Sequence, residues 1–209
     1  MEENKKTTLR TIVREYVVNK IIDGDLTSGM KINESKICLD LNMSKSPVRE
    51  AISELVSDGI LKNEDFKGTS VASFENKDII ELTAMRSALE IMAADFAVAH
   101  LSDEARNTLL EVTKRMKVAA EKNDVRMMAD LDMEYHFNII LLSDNKTLVE
   151  TWQRIYNKLR IHIYKKNIMY GDLKQQCHDH GKLIEYFKLE TLSLFKQMLT
   201  EHLYFYLKK

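Results

Sequence analysis

Asp132, His136, His180 and His202 are the residues of this chain whose types and spacing could do chemistry. Asp132 and His136 stand four positions apart, so on a helix they stack on one face. His180 and His202 fall on two further expected helices, and an antiparallel hairpin with arms of about ten residues would bring their positions together. Imidazole nitrogens joined by one carboxylate oxygen suit a divalent transition metal. Zinc is the first choice, with nickel, manganese, iron and cobalt also matching, and positions stay open for water or an anion. Taken singly, each histidine reads more readily as a core or surface residue, and spacing alone is weak evidence for an ion. His178 lies two residues from His180, on nearly the opposite side of a helix, and so falls outside the set, while His100 and His162 read as structural. Such a site could activate water for hydrolysis. The chain carries no general-base constellation, nucleophile motif or glycine-rich phosphate loop beside it, so no catalytic residue is assigned and an enzyme is disfavoured.

The elements that must hold these residues follow from composition. The 209 residues include one proline and six glycines, with 44% hydrophobic and 30% charged residues, which favours helices and starves a β-sandwich of turns. The two cysteines, Cys38 and Cys177, are far apart in sequence and in different expected domains, against a disulfide framework. No stretch approaches the roughly 18 uninterrupted apolar residues of a membrane span, and a cytoplasmic protein is expected. A net charge of −1 excludes a globally basic nucleic-acid binder and leaves any such binding to local geometry.

Residues 8–22 carry Leu9, Ile12, Val13, Tyr16, Val17 and Ile21 at helical spacing, and Gly24 stops that helix. After a turn at 26–30, residues 32–41 read as a short helix with Asn33 as N-cap. The chain turns at Asn42-Met43. The next helix opens at Ser44, with Ser46 as N-cap and Pro47 in the first turn, and runs to Ser57. Residues 60–62 and 69–73 alternate as strands joined by a polar hairpin. Two helices linked by a tight turn and followed by a β-hairpin make a winged helix-turn-helix over residues 1–75. From Asn76 on, amphipathic helices near 77–100, 103–123, 125–143, 146–168, 172–188 and 190–207 predict an all-α helical bundle over 76–209. The fold class is therefore mainly α.

The first turn of the helix opening at Ser44 has free backbone amides and the positive end of the helix dipole. There Lys45 and Arg49 can reach phosphates or guanine edges, and Ser44 and Ser46 can hydrogen-bond. Lys67, Gly68 and Thr69 at the wing tip would bring a cation and bare backbone toward a minor groove. The expected partner is a double-stranded DNA operator.

These residues carry a family resemblance. Ser44-Lys-Ser-Pro-Val-Arg-Glu-Ala-Ile-Ser-Glu-Leu55, Asp58-Gly-Ile-Leu61 and Lys67-Gly-Thr-Ser-Val71 closely resemble the DNA-binding domain of GntR-family bacterial transcription regulators. Asp78-Ile-Ile-Glu-Leu-Thr-Ala-Met-Arg-Ser-Ala-Leu-Glu90 is similar to the opening helix of the FCD-type C-terminal domain of the FadR subfamily. Asp132-Met-Glu-Tyr-His136, His180 and His202 resemble its metal-ligand set. The resemblance implies a homodimeric regulator, a repressor by expectation, that binds an inverted-repeat operator. Its helical domain would dimerise and hold a metal ion that receives a small carboxylate metabolite. Arg86 resembles a family arginine near the effector cavity, where it would pair with the ligand carboxylate. The chain departs from the family pattern in four places. Lys45 stands where arginine is usual, which keeps charge and loses the bidentate fork. Ser35 replaces a DNA-contacting arginine of some members, Lys146 follows Asn145 where proline is common, and Leu189-Glu-Thr replaces a Gly-Asp turn. Beside this reading stands a regulator in which the metal itself is the signal.

Overall fold

The computed structural model of the chain describes residues 8–73 and 75–205. Contacts divide it into two compact units that meet in sequence at Phe74 and Glu75.

The first unit is a winged helix-turn-helix. Helix α1 (Leu9–Ile22) starts where the Thr8 hydroxyl accepts the Thr11 amide, and it buries Val13, Val17, Val18, Ile21 and Ile22. It stops at Asp23, followed by Gly24 at φ 82°, a left-handed angle that a side chain would strain. Helix α2 (Glu34–Asp40) is capped by Asn33, whose side-chain oxygen accepts the Lys36 amide at 3.0 Å, as its sequence position predicts. Helix α3 (Lys45–Ser57) buries Val48, Ala51, Ile52 and Leu55 against α1 and α2. Arg14 on α1 reaches Glu54 on α3 at 3.2 Å and also pairs with Asp58, pinning the two helices at their polar margin.

Several boundaries in this unit differ from the sequence expectation. Helix α3 is capped at Ser44, not Ser46, so Ser46 and Pro47 both lie inside the first turn and the Ser46 hydroxyl donates to Glu50 instead. Proline is tolerated there because amides of the first turn have no intrahelical acceptor. The wing strands are β1 (Leu61–Glu64) and β2 (Gly68–Val71), antiparallel, with Leu61 opposite Val71 and Glu64 opposite Gly68. The segment read as a turn at 26–30 continues into a third edge. The Gly29 and Ile32 amides donate to the Val71 and Thr69 carbonyls at 2.9 Å, and the Val71 amide returns a bond to the Met30 carbonyl at 3.0 Å. Its single bridge, Lys31 with Ser70, is too short a pairing to leave an alternating pattern in the sequence.

The second unit is all helical among its described residues: α4 (Asn76–Ala97), α5 (Asp103–Glu121), α6 (Val125–Leu142), α7 (Lys146–Tyr170), α8 (Leu173–Tyr186) and α9 (Leu192–Tyr204). Four starts are capped by side chains at the expected breaks, through Ser102, Asp124, Asn145 and Asp172. Three-residue 3₁₀ turns follow α4 and precede α9, replacing the α-helical ends expected at 98–100 and 190–191. Residues 206–207 of the last expected helix lie outside the described residues. Helix α6 packs against α4, α5 and α7, and α8 against α5 and α9, so α6 has neighbours on several sides. The core includes fully buried Trp152, Tyr135, Phe187, Phe195 and Met133, with Phe187 and Phe195 stacked at 4.4 Å between ring centres. That core fixes α8 and α9 against each other, and α6 against α4, which is what a convergent site between them requires.

Candidate metal centre and DNA interface

Asp132 and His136 project from the same face of α6, one turn apart, and are met by His180 from α8 and His202 from α9. One ligating atom from each lies within 4.8 Å of the others. His136 Nε2 is 3.2 Å from His180 Nε2 and 3.3 Å from His202 Nε2, and Asp132 Oδ1 is 3.3 Å from His180 Nε2. Atoms bound to one zinc ion at about 2.0–2.1 Å with tetrahedral angles stand about 3.3–3.4 Å apart, so these three separations are those of a shared coordination sphere.

The far side of two of the rings fixes the proton. His136 Nδ1 lies 2.6 Å from a Glu90 carboxylate oxygen, and His180 Nδ1 lies 2.8 Å from the Gln176 carbonyl. Both acceptors lack a proton, so each Nδ1 is the donor and each Nε2 carries a lone pair. Two lone pairs facing at 3.2 Å repel, and a cation between them turns that repulsion into ligation. The donor set therefore fits a divalent metal on the geometry of this chain alone.

Charge around the cluster is balanced by a buried chain of ion pairs. Arg86 on α4 donates Nε to Glu90 at 2.7 Å and Nη2 to Asp132 Oδ2 at 3.1 Å, with all three residues buried. Burial by itself would raise the Asp132 carboxyl, but Arg86 and His136 outweigh it and hold the group well below the usual range. Glu90 is likewise lowered: desolvation pushes it up, and His136 and Arg86 push it down further. Desolvation depresses Arg86, yet Glu90 and Asp132 keep it raised. Burial lowers His136 despite Glu90, and it lowers His202 strongly, with His180 and His136 adding to the effect. Neutral imidazoles are the ligating form.

All four residues read from the sequence as a metal set thus come together, and Arg86 adjoins them through Asp132. His178 is exposed, and His100 faces the Leu142 carbonyl at 3.1 Å. Two participants escaped the sequence reading. Tyr135 donates its hydroxyl to the His180 carbonyl at 3.2 Å and sets its ring edge-on to that imidazole. Glu90 left a signal, because an Arg86–Glu90 pair at i, i+4 shares its face with small residues such as Ala93, Ala94 and Ala97.

The residues read as DNA contacts lie in two groups within the first unit. Ser44, Lys45, Ser46 and Arg49 line the exposed start of α3, and Lys67, Gly68 and half-buried Thr69 follow the exposed wing tip. Arg49 Nε is held by Glu34 of α2 at 3.0 Å, and Lys67 pairs with Glu64 at 3.1 Å.

Residues 9–71 match the family described as bacterial regulatory proteins, gntR family, and residues 81–205 match the FCD domain. The chain belongs to the GntR family of bacterial transcription regulators. Its C-terminal half is an FCD domain, and its relatives are regulators rather than enzymes. It is 29% identical over 208 residues to the "Probable D-xylose utilization operon transcriptional repressor" of Paenarthrobacter nicotinovorans, covering 97% of this chain and 88% of that one. It is 25% identical over 191 residues to the gluconate operon transcriptional repressor of Bacillus subtilis, covering 88% and 77%. Among solved structures it shares the fold of E. coli McbR/YncC, with a TM-score of 0.84, 21% identity and 96% of each chain covered. No described helix of this GntR regulator is long and apolar enough to cross a membrane.

Proposed function

We propose that this GntR-family regulator is a cytoplasmic repressor that binds an inverted-repeat operator as a homodimer and responds to a small carboxylate metabolite received at a metal in its FCD domain. The convergence of three imidazole nitrogens and one carboxylate on a single point carries the metal part of this reading. Asp132, His136, His180 and His202 would hold the ion, with zinc first by ligand chemistry and nickel, manganese, iron or cobalt also suited. When bound, the ion supplies a Lewis-acidic centre with positions open to an anion.

Charge supports a carboxylate there. Glu90 and Asp132 against Arg86 leave one buried negative charge beside neutral imidazoles, so a divalent ion makes the site singly positive and one carboxylate neutralises it. Arg86 supports the reading as a second anchor, because its guanidinium borders the cluster and offers five N–H donors, with Nε and Nη2 turned to Glu90 and Asp132. Dimerisation through the FCD domain is supported by α4, where Ile80, Met85, Met92 and Phe96 are about half exposed on a helix whose opposite side is buried in the core. The contacts proposed for DNA are Ser44, Lys45, Ser46 and Arg49 at the start of α3 and Lys67, Gly68 and Thr69 at the wing, all exposed or half-buried.

The test is an operator-binding titration of the full chain, with zinc and carboxylates added separately and together, gluconate among them because one relative is named for it. Relief of operator binding that needs both metal and acid supports the proposal. Relief by metal alone would favour the reading in which the ion is the signal, and turnover of an acid would favour a metal-dependent hydrolase instead.

A further inference from the structure

We infer that Glu90, braced by Arg86, is the positioning residue that holds His136 in its metal-binding tautomer; this rests on reading the four-residue cluster as a metal site. Glu90 is fully buried on α4, where the neighbouring buried positions are Thr83, Ser87, Ala93, Ala94 and Ala97. A buried carboxylate costs several kcal/mol of desolvation, and well-packed apolar residues commonly stabilise a protein as well or better, so stability alone does not account for it. Both of its oxygens are committed. Oε2 takes the proton of His136 Nδ1 at 2.6 Å, and Oε1 takes Arg86 Nε at 2.7 Å.

An imidazole with nothing on Nδ1 divides its proton between two nitrogens, and the form with hydrogen on Nε2 cannot ligate through that atom. The carboxylate removes the choice because it can only accept. His180 receives the same instruction from the Gln176 backbone carbonyl, which no side-chain substitution can take away. For His136 the instruction comes from a side chain, and it can be withdrawn. Arg86 completes the device by reaching past Glu90 to Asp132 Oδ2, which leaves Oδ1 turned toward His180 Nε2 at 3.3 Å. One guanidinium on α4 thus orients both ligands supplied by α6.

Glu90→Gln keeps the shape and lets the amide either donate or accept, so it no longer dictates where the proton sits. In the full chain, zinc affinity measured by competition with a chromophoric chelator is expected to fall about 10–100-fold, as loss of an outer-shell partner does. Nitrogen-15 NMR of the metal-free protein should show the His136 proton on Nδ1 in the wild type and shared between both nitrogens in the variant. Glu90→Asp, which keeps an acceptor-only group, should recover part of the affinity. A residue that merely stabilised the fold would lower the melting temperature and leave tautomer and zinc affinity unmoved. Equal zinc affinity in wild type and Glu90→Gln would overturn the inference and leave the metal site standing. A wild type that binds no zinc would remove the metal site itself, and the inference with it. Should the variant fail to fold, the wild-type spectrum decides, because a His136 proton on Nε2 refutes the role directly.

Discussion

At the scale of single residues, the two ends of the chain use charge in opposite ways. Arg49 is two-thirds exposed, and its tie to Glu34 is a surface pair of small worth, so DNA can recruit the guanidinium at little cost. If it reads a base edge, Arg49→Ala weakens operator binding by about 1–3 kcal/mol, seen as a shift in a fluorescence-anisotropy isotherm with the fold intact by circular dichroism. An unshifted isotherm would remove Arg49 from the interface. Lys67→Ala should cost less and flatten the dependence of log affinity on log salt, the signature of one lost phosphate contact. Arg86 is the buried counterpart. The family resemblance implies a ligand-binding arginine; in the fold it is the counter-ion of two carboxylates. Arg86→Ala therefore leaves Glu90 and Asp132 buried without their cation, and about 3–5 kcal/mol of stability should go with it, measured by urea denaturation. Arg86→Lys would restore charge without the fork that spans both partners.

At the scale of elements, the convergence of Asp132, His136, His180 and His202 was legible through the family resemblance together with helical spacing. Asp132 and His136 at i, i+4 could only face one way on α6, and the caps at Ser102, Asp124, Asn145 and Asp172 marked where the neighbouring helices begin. The extra strand edge at 29–32 and the part played by Glu90 were not legible in the same way. The first consists of backbone hydrogen bonds over too few residues to impose a side-chain period, and the second depends on which face of α4 meets α6, a tertiary fact. The cap of α3 was misplaced by two residues because Ser44 and Ser46 are both cap-formers and Pro47 suits either frame. Since the site joins α6, α8 and α9, its protonation bears on the whole helical unit. His136 and His202 titrate below the ordinary imidazole value in the folded protein. The unfolded chain takes up those protons near pH 6.5, so below that pH it binds more protons than the fold does, and stability that is full above about pH 6.5 declines as pH falls. Protons also compete with metal for the same nitrogens, so metal is expected to leave in the same direction. Thermal melts of the metal-free chain from pH 8 to pH 5 should show a falling midpoint, and added zinc should raise the midpoint most at the upper end. A midpoint independent of pH over that range would mean that these imidazoles are not buried as neutral groups.

At the scale of the whole molecule, the question is how one DNA-reading unit becomes a specific repressor. A lone winged helix covers too little DNA for high specificity, and the proposed inverted-repeat operator would call for a two-fold pair. In the proposed homodimer that pair would form on the face of α4 carrying Met85, Met92 and Phe96, which follow one another at seven and four residues, spacings that align them along a helix. Two such helices crossing at a dyad would cover both apolar stripes at once, each copy burying the same patch. In the proposed dimer the same helix would carry the interface on one face and Arg86 and Glu90 on its inward side, which would link a change at the metal to the pairing of the two copies. Met92→Glu places a carboxylate in the middle of the stripe, where pairing across a dyad would set two like charges against each other. Because Met92 is half exposed in one chain, the variant should fold with an unchanged circular dichroism spectrum. Sedimentation equilibrium at micromolar concentration should then give the mass of two chains, about twice the 24.3 kDa of one, for the wild type and that of one for Met92→Glu. Operator affinity should fall by more than loss of Arg49 would cause, since a monomer forfeits one entire half-site. A Met92→Glu protein that remains dimeric would move the two-fold interface off α4 and sever the proposed route from the metal to the DNA.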